Sequence, residues 1–371
     1  MAVTKRADAT TRAAAVRFDN VSKTYDGHHL VIDGLSLDIG QGEFLTFLGP
    51  SGSGKTTSLM MLAGFETPTS GEIYLDGAPF TNVPPHKRGL GFVFQNYALF
   101  PHMSVAENLA FPLEVRQVPR ASIKEKVERA LTMVSLAGFG ERRPQQLSGG
   151  QQQRVAVARA LVFEPSLILM DEPLGALDKN LREQLQYEIR HLHRNLGVTI
   201  VYVTHDQSEA MTLSDRIAVF NKGFVEQIDA PRRLYDEPMT AFVAGFIGEN
   251  NRLDGELTTL AGERGLVTLS GDCTVDAVCA AGLAPGARVV VSVRPERMSL
   301  GAREGANTIA ARLEEQVYLG DHLRIAARTP GGRLVIAKIP NHDGLPALSL
   351  NDTVNLSFRP EDARALLLAE A

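Results

Sequence analysis

The sequence predicts an α/β domain built on a largely parallel sheet, followed by a smaller all-β domain. Three observations carry that prediction. From Val16 to Asp236, short continuous apolar runs alternate with stretches that mix apolar and charged residues at helical spacing, as parallel strands buried on both faces and their crossover helices do. A glycine-rich loop stands between one such strand and the helix after it, where α/β sheets bind their ligands. From about Gly245 the candidate strands become short, closely spaced and separated by Gly, Pro and Asp, the texture of a small barrel or sandwich.

Bulk properties agree. A chain of 371 residues exceeds one compact core and suits two domains. With 44% hydrophobic and 22% charged residues, wholesale disorder and collagen-like or coiled-coil fibres are excluded. No stretch approaches the roughly 18 uncharged apolar residues of a membrane-spanning helix. A net charge of -5 supplies no global basic field, so no nucleic-acid partner is expected. Met1 to Ala15 has Lys5, Arg6 and Arg12 but no apolar core segment, and it reads as a flexible tail, not a secretory signal. The two cysteines, Cys273 and Cys279, are too few for a disulfide framework or a zinc site. They read as small core hydrophobes, and their scarcity fits a reducing compartment.

Taken in order, the first strand is VRFDNVSKTY from Val16 and the second is EFLTFLG from Glu43. Gly49, Pro50, Ser51, Gly52, Ser53, Gly54, Lys55 and Thr56 then satisfy G-x-x-x-x-G-K-[ST]. Small residues let backbone N–H groups converge on phosphate oxygens, and the helix TTSLMMLAG adds its positive N-terminal end. Lys55 would reach the β- and γ-phosphates, the Thr56 hydroxyl would ligate Mg²⁺, and Thr57 is a further phosphate contact.

RGLGFVFQ from Arg88 is the next strand, and SIKEKVERALTMVSLAG a helix with Gly138 as its stop. LSGGQQQRVAVARAL from Leu147 places small residues before a long helical stretch. It is either a Ser-capped helix start or a second anion-binding turn that meets a nucleotide held by another chain. In SLILMDE, Asp171 ends an apolar run and would hold the metal, while Glu172 would act as general base. Alone, such a pair reads equally well as a solvated acidic turn. NLREQLQYEIRHLHRNLG follows with Gly197 as its stop, then the strand VTIVYVTH. In the second domain ARVVVSVRPERMSL, from Ala287, echoes DTVNLSFRPEDARAL, from Asp352. In each, a strand runs into Arg-Pro-Glu, either by duplication or by chance.

Together these residues resemble the nucleotide-binding subunit of an ATP-binding cassette (ABC) transporter, over nearly the whole first domain and in the family's motif order. GPSGSGKTT resembles its Walker A loop, LILMDE its Walker B strand, and Leu147 to Gln151 its signature, with Ser148, Gly149, Gly150 and Gln151 facing a partner's nucleotide. Gln95 resembles the Q-loop glutamine that contacts the metal, and His205 the switch histidine at the γ-phosphate. Tyr25 resembles the aromatic residue that stacks on adenine, and Asp178 the D-loop aspartate that faces the partner's Walker A. Gly175 departs from the serine common there, which puts one cross-dimer contact in doubt.

The resemblance implies catalytic roles for Glu172, His205, Lys55 and Gln95, and metal ligation by Thr56, Gln95 and Asp171, with ATP and Mg²⁺ as cofactors. The β extension with VRPE resembles importers of the maltose, iron, sulfate and polyamine group. That implies an α/β P-loop NTPase domain at 16–236 with a helical subdomain at about 97–150, a tail at 1–15, a linker at 237–250, and an OB-like (TOBE) regulatory domain at 251–371. NYALFPHMSVAENLAFPL resembles the start of the helical subdomain, whose groove takes a permease helix. Its Tyr97, Phe100, Met103 and Phe111 read equally well as core packing. Implied partners are a second copy, transmembrane permease subunits and, through them, a periplasmic or extracellular solute-binding protein, at the cytoplasmic face of the membrane. FVAGFIGENNRL from Phe242 looks most like polyamine-type importers. Sugar, ferric-iron and sulfate importers share the other features, and exporters or non-transport ABC ATPases fit less well.

Overall fold

The computed structural model describes residues 14–175, 177–270, 273–341 and 348–368. It divides into two compact units at Pro231/Arg232. The first unit runs β1 (Ala14–Thr24), β2 (Leu30–Gly40), β3 (Phe44–Leu48), α1 (Lys55–Ala63), β4 (Ser70–Leu75), β5 (Ala78–Pro79), β6 (Gly91–Val93), α2 (Val105–Val115) and α3 (Arg120–Met133). It continues through α4 (Gly149–Leu161), β7 (Leu167–Asp171), α5 (Lys179–Leu196), β8 (Thr199–Thr204), α6 (Gln207–Leu213), β9 (Arg216–Asn221) and β10 (Phe224–Asp229). Of the tail expected at 1–15, residues 1–13 lie outside the described residues, and Ala14 already opens β1.

A six-stranded sheet in the order β10-β9-β3-β8-β7-β6 carries the unit, parallel except for β10. Every residue of β3, β7 and β8 is buried, which is why these strands are dominated by apolar residues, with Thr46 the one polar residue inside β3. Register sets the site. Leu48 pairs with Thr204 and Asp171 with Val203, so β3, β8 and β7 end side by side, and their following loops leave from one edge. A separate antiparallel sheet, β2-β1-β4-β5, is half exposed. β2, β4, β5, β9 and β10 were not expected. In β2, Asp33 and Gly34 interrupt the alternation that marks a half-buried strand.

Helices α2, α3 and α4 share their own apolar cluster, including Val105, Leu109, Val127, Leu131, Val155 and Ala158. Ala156, Val157 and Ala160 of α4 instead face the sheet cluster, so one helix serves both cores. Gly197 ends α5 at φ +62°, in the expected role. Gly138 does not end α3. That helix closes at Met133 with Val134 as cap, Ser135 takes φ +59°, and Gly138 lies in the next turn.

The second unit contains α7 (Pro231–Asp236), α8 (Ala241–Phe246), β11 (Asn251–Ala261), β12 (Arg264–Leu269), β13 (Cys273–Cys279), β14 (Arg288–Val293) and β15 (Ser299–Leu300). After them come β16 (Asn307–Tyr318), β17 (His322–Arg328), β18 (Leu334–Pro340), β19 (Thr353–Phe358) and β20 (Ala363–Leu367). Strands β11-β12-β13-β20-β14 close a barrel, and β15-β19-β16-β17-β18 form an antiparallel sheet around the same core. The stretch 237–250, expected as a linker, carries α8. Its Ala241 and Ala244 pack on Val290 and Leu366, so it behaves as part of the β unit.

The Arg-Pro-Glu echo has a structural counterpart. β14 leaves the barrel through the 3₁₀ turn Pro295–Arg297 and enters the sheet as β15, whereas β19 leaves the sheet through Pro360–Asp362 and enters the barrel as β20. β14 pairs with β20 and β15 with β19. The two motifs therefore exchange strands reciprocally. Arg294 is buried and donates to the carbonyls of Tyr235, Ala244, Ile247 and Glu249, which closes the ends of α7 and α8. Arg359 stays at the surface beside Asp362.

Candidate active site

The loop after β3 is shaped by steric exclusion. Gly54 has φ +99° and Gly52 φ +76°. A Cβ on Gly54 would lie 2.3 Å from Ile32 Cδ1, and one on Gly49 would lie 2.4 Å from the Phe220 carbonyl. Only glycine meets both conditions at Gly54. The turn brings Lys55 Nζ to 2.9 Å from the Gly49 carbonyl and 2.8 Å from that of Pro50. Burial pulls the Lys55 ammonium pKa down, while Glu172 and Asp171 oppose that shift. Ser53 Oγ is buried without a hydrogen-bond partner, an uncompensated polar atom in a loop built for anions.

Asp171 ends β7 and meets Thr56 of α1, whose hydroxyl donates to Asp171 Oδ1 at 3.2 Å. Burial raises the Asp171 carboxyl pKa, against the Thr56 hydrogen bond. A hydroxyl and a carboxylate at this spacing are a donor set for a hard divalent cation. Glu172, next along, has φ +43°, and its N–H donates to the Val203 carbonyl at 3.0 Å. This turn points its carboxylate at two groups from other strand ends: His205 Nδ1 is 3.0 Å from Oε1, and Gln95 Nε2 is 3.4 Å from Oε2. Lys55, Thr56, Gln95, Asp171, Glu172 and His205, spread over 151 positions of sequence, thus form a connected group at one sheet edge.

The other expected residues sit elsewhere in their own elements. Ser148 caps α4 in a reciprocal box with Gln151, accepting from Gln151 N at 3.4 Å and donating its own N–H to Gln151 Oε1 at 3.0 Å. Gly150 is buried, and a Cβ there would meet Leu181 Cδ1 at 3.0 Å; at Gly149 it would meet Leu177 Cδ2 at 3.3 Å. Asp178 caps α5 by accepting from Leu181 N at 3.0 Å. Thr57 follows Thr56 in the first turn of α1. Tyr25 is 61% exposed, with Lys23 Nζ over its ring at 4.8 Å from the centre. Tyr97 is buried in the sheet cluster, whereas Phe111 stays 37% exposed.

A supporting group was missed in sequence. Asp206 and Glu209 stand three apart at a helix start, which reads as a capping box. Asp206 does cap α6 through Ser208 N and Glu209 N. Glu209 instead turns inward, where its Oε2 accepts from Tyr202 Oη at 2.8 Å and Thr204 Oγ1 at 2.7 Å. Burial raises the Glu209 carboxyl pKa and pushes the Tyr202 hydroxyl well up. The signal available was Tyr202 itself, a polar aromatic inside an all-buried strand, since such a hydroxyl needs a partner.

Fold and site define a P-loop nucleoside triphosphatase. The family profile described as "ABC transporter" matches residues 32–175, and that described as "TOBE domain" matches residues 291–366. The chain is 46% identical to the spermidine/putrescine import ATP-binding protein PotA of Rubrobacter xylanophilus, over 96% of this chain and 94% of that one. It is 48% identical to the protein of the same name from Pseudomonas aeruginosa strain UCBPP-PA14, over 87% of this chain and 90% of that one. Among solved structures, the dimeric post-hydrolysis state of the ATP-binding cassette MJ0796 bound to ADP and Pi superposes with a TM-score of 0.53. It has 36% identity and covers 58% of this chain and 99% of that one. CbiO1 from Clostridium perfringens, part of the transporter complex cbiONQ, gives 0.57 at 27% identity, covering 60% of this chain and 91% of that one. The chain belongs to the ATP-binding proteins of ABC transporters, with a C-terminal TOBE domain, and it is an ATPase. Among the described residues no helix is long and apolar enough to cross a membrane.

Proposed function

We propose that this chain powers the import of a polyamine, spermidine, putrescine or a related small amine, as a homodimeric ATPase docked on the cytoplasmic side of a membrane permease that receives solute from a binding protein. The printed names of relatives that match almost the whole chain support the solute. The observation that carries the chemistry is the Gln95–Glu172–His205 contact set beside the Lys55 loop.

The phosphate chain of ATP lies along the loop from Gly49 to Thr57, with Lys55 countering charge at the β- and γ-phosphates. Thr56 and Asp171, with Gln95, would hold Mg²⁺, which supplies charge neutralisation for the departing phosphate when bound. Glu172 draws the proton from the attacking water, held in aim by Gln95 and His205. His205 also faces the γ-phosphate, and Tyr25 stacks on adenine. Ser148, Gly149, Gly150 and Gln151 of one copy close on the nucleotide of the other, and Asp178 meets the partner's phosphate loop. Closure with ATP and reopening after hydrolysis give the bistable element that moves the permease.

Solute uptake in cells lacking the protein, complemented with wild type or with Glu172→Gln, tests this reading. The panel is putrescine, spermidine, a disaccharide, ferric iron and sulfate. Amine uptake restored by wild type alone is the expected result. Restoration of a different solute would overturn the amine assignment, and uptake supported equally by Glu172→Gln would overturn the hydrolytic role.

A further inference from the structure

We propose that Arg182 is a positioning residue for ATP hydrolysis, fastening the loop that carries Glu172 and Asp178 to the segment that carries His205. The inference rests on the roles given above to Glu172 and His205. Arg182 stands in the first turn of α5, its N–H bonded to the Asp178 carbonyl at 2.9 Å. One arm of its guanidinium, Nη2, donates to the Leu177 carbonyl at 2.9 Å, in the backbone just before Asp178. The other arm, Nη1, donates to Asp206 Oδ2 at 3.0 Å, in the residue just after His205. Its Nε lies 3.8 Å from Glu209 Oε1. Glu209 is 2% exposed and anchored from below by Tyr202 and Thr204. One planar fork therefore spans the two loops that leave β7 and β8.

The span matters because Glu172 and His205 must stay in register. On the sheet side, Glu172 N donates to the Val203 carbonyl near the end of β8, just before the His205 loop. Arg182 joins them again at the opposite end of the first loop, at Leu177. A lysine could keep the positive charge near Glu209 and Asp206, but a single ammonium on a flexible stem cannot reproduce the rigid fork. Small misplacements of a catalytic pair are expensive in rate even when substrate still binds. Arg182 does not touch the Glu172–His205 contact itself, so its removal should act on turnover and spare nucleotide affinity.

The experiment uses the full chain and its Arg182→Met and Arg182→Lys variants. It measures kcat and KM for ATP, nucleotide affinity by titration, and melting temperature. Both variants should lose about tenfold or more in kcat while nucleotide affinity stays within about twofold of wild type. If Arg182→Met does not fold, Arg182→Lys, which keeps the charge, decides alone. Full kcat in either variant overturns the proposal. So does a loss of kcat matched by equal losses in nucleotide affinity and melting temperature, the signature of a merely structural residue. A wild-type chain without ATPase activity would instead overturn the functional reading beneath it.

Discussion

Glu172 holds a left-handed backbone conformation that a glutamate rarely adopts, at a cost of order 1–3 kcal/mol. Its bonds to Val203, His205 and Gln95 hold it there. Glu172→Gln keeps the shape and removes the proton acceptor, so ATP should still bind while kcat falls by roughly 10²–10⁴-fold; turnover near wild type in a phosphate-release assay would reject the assignment. At Lys55 the effect should be on binding, because its ammonium is the fixed cation in the loop. Lys55→Ala should weaken nucleotide affinity as well as abolish turnover, and unchanged affinity by titration would count against that role. Asp171 works against folding. Burial raises its pKa, so ionising it near neutral pH costs stability, and that cost appears as pH rises through the raised value. Asp171→Asn should therefore raise the melting temperature of the nucleotide-free chain and remove the extra stabilisation conferred by ATP with Mg²⁺. A lower melting temperature would show that its bond with Thr56 outweighs the desolvation.

Elements translate these residue properties into placement. Strands β3, β7 and β8 were legible because burial on both faces leaves a dominantly apolar signature, and the loops at their ends carry the chemistry. The half-exposed strands β2, β4 and β10 lacked that signature. Helix ends were legible only where glycine itself takes the left-handed cap, as at Gly197; after α3 the left-handed position falls to Ser135, a residue type that does not announce it. In the second unit the two Arg-Pro-Glu turns look alike in sequence and differ in burial. Arg294→Met strands four carbonyls in α7, α8 and the stretch just after α8, and should destabilise by about 3 kcal/mol or more. Arg359→Met removes a surface pair and should leave stability nearly unchanged. Denaturant unfolding of both variants tests this, and similar values would refute the distinction.

At the scale of the whole molecule, the turn at Ser148 and the loop before Lys55 belong to different elements, α4 and α1, and the Ser148 side chain bonds within its own capping box. In the function proposed above, a second copy supplies its Ser148 turn to the nucleotide held by this loop. ATP with Mg²⁺ should therefore drive Glu172→Gln into a stable dimer seen by light scattering, and adding Ser148→Arg should prevent it by placing bulk and charge at the interface. A double variant that dimerises as before would exclude this interface.

From the sequence alone came the α/β and all-β division, the glycine-rich loop before Lys55 and the acidic strand end at Asp171 and Glu172. These are local patterns whose residue types are dictated by backbone geometry and phosphate chemistry within a few positions. Tertiary structure decided what depends on distant neighbours. Register across β6, β7 and β8 brought Gln95, Glu172 and His205 together. Pairing of β14 with β20 and β15 with β19 turned a weak echo into reciprocal strand exchange. Burial turned Glu209 inward from the start of α6, because a buried carboxylate goes where its donors are, and those donors, Tyr202 and Thr204, lie on β8.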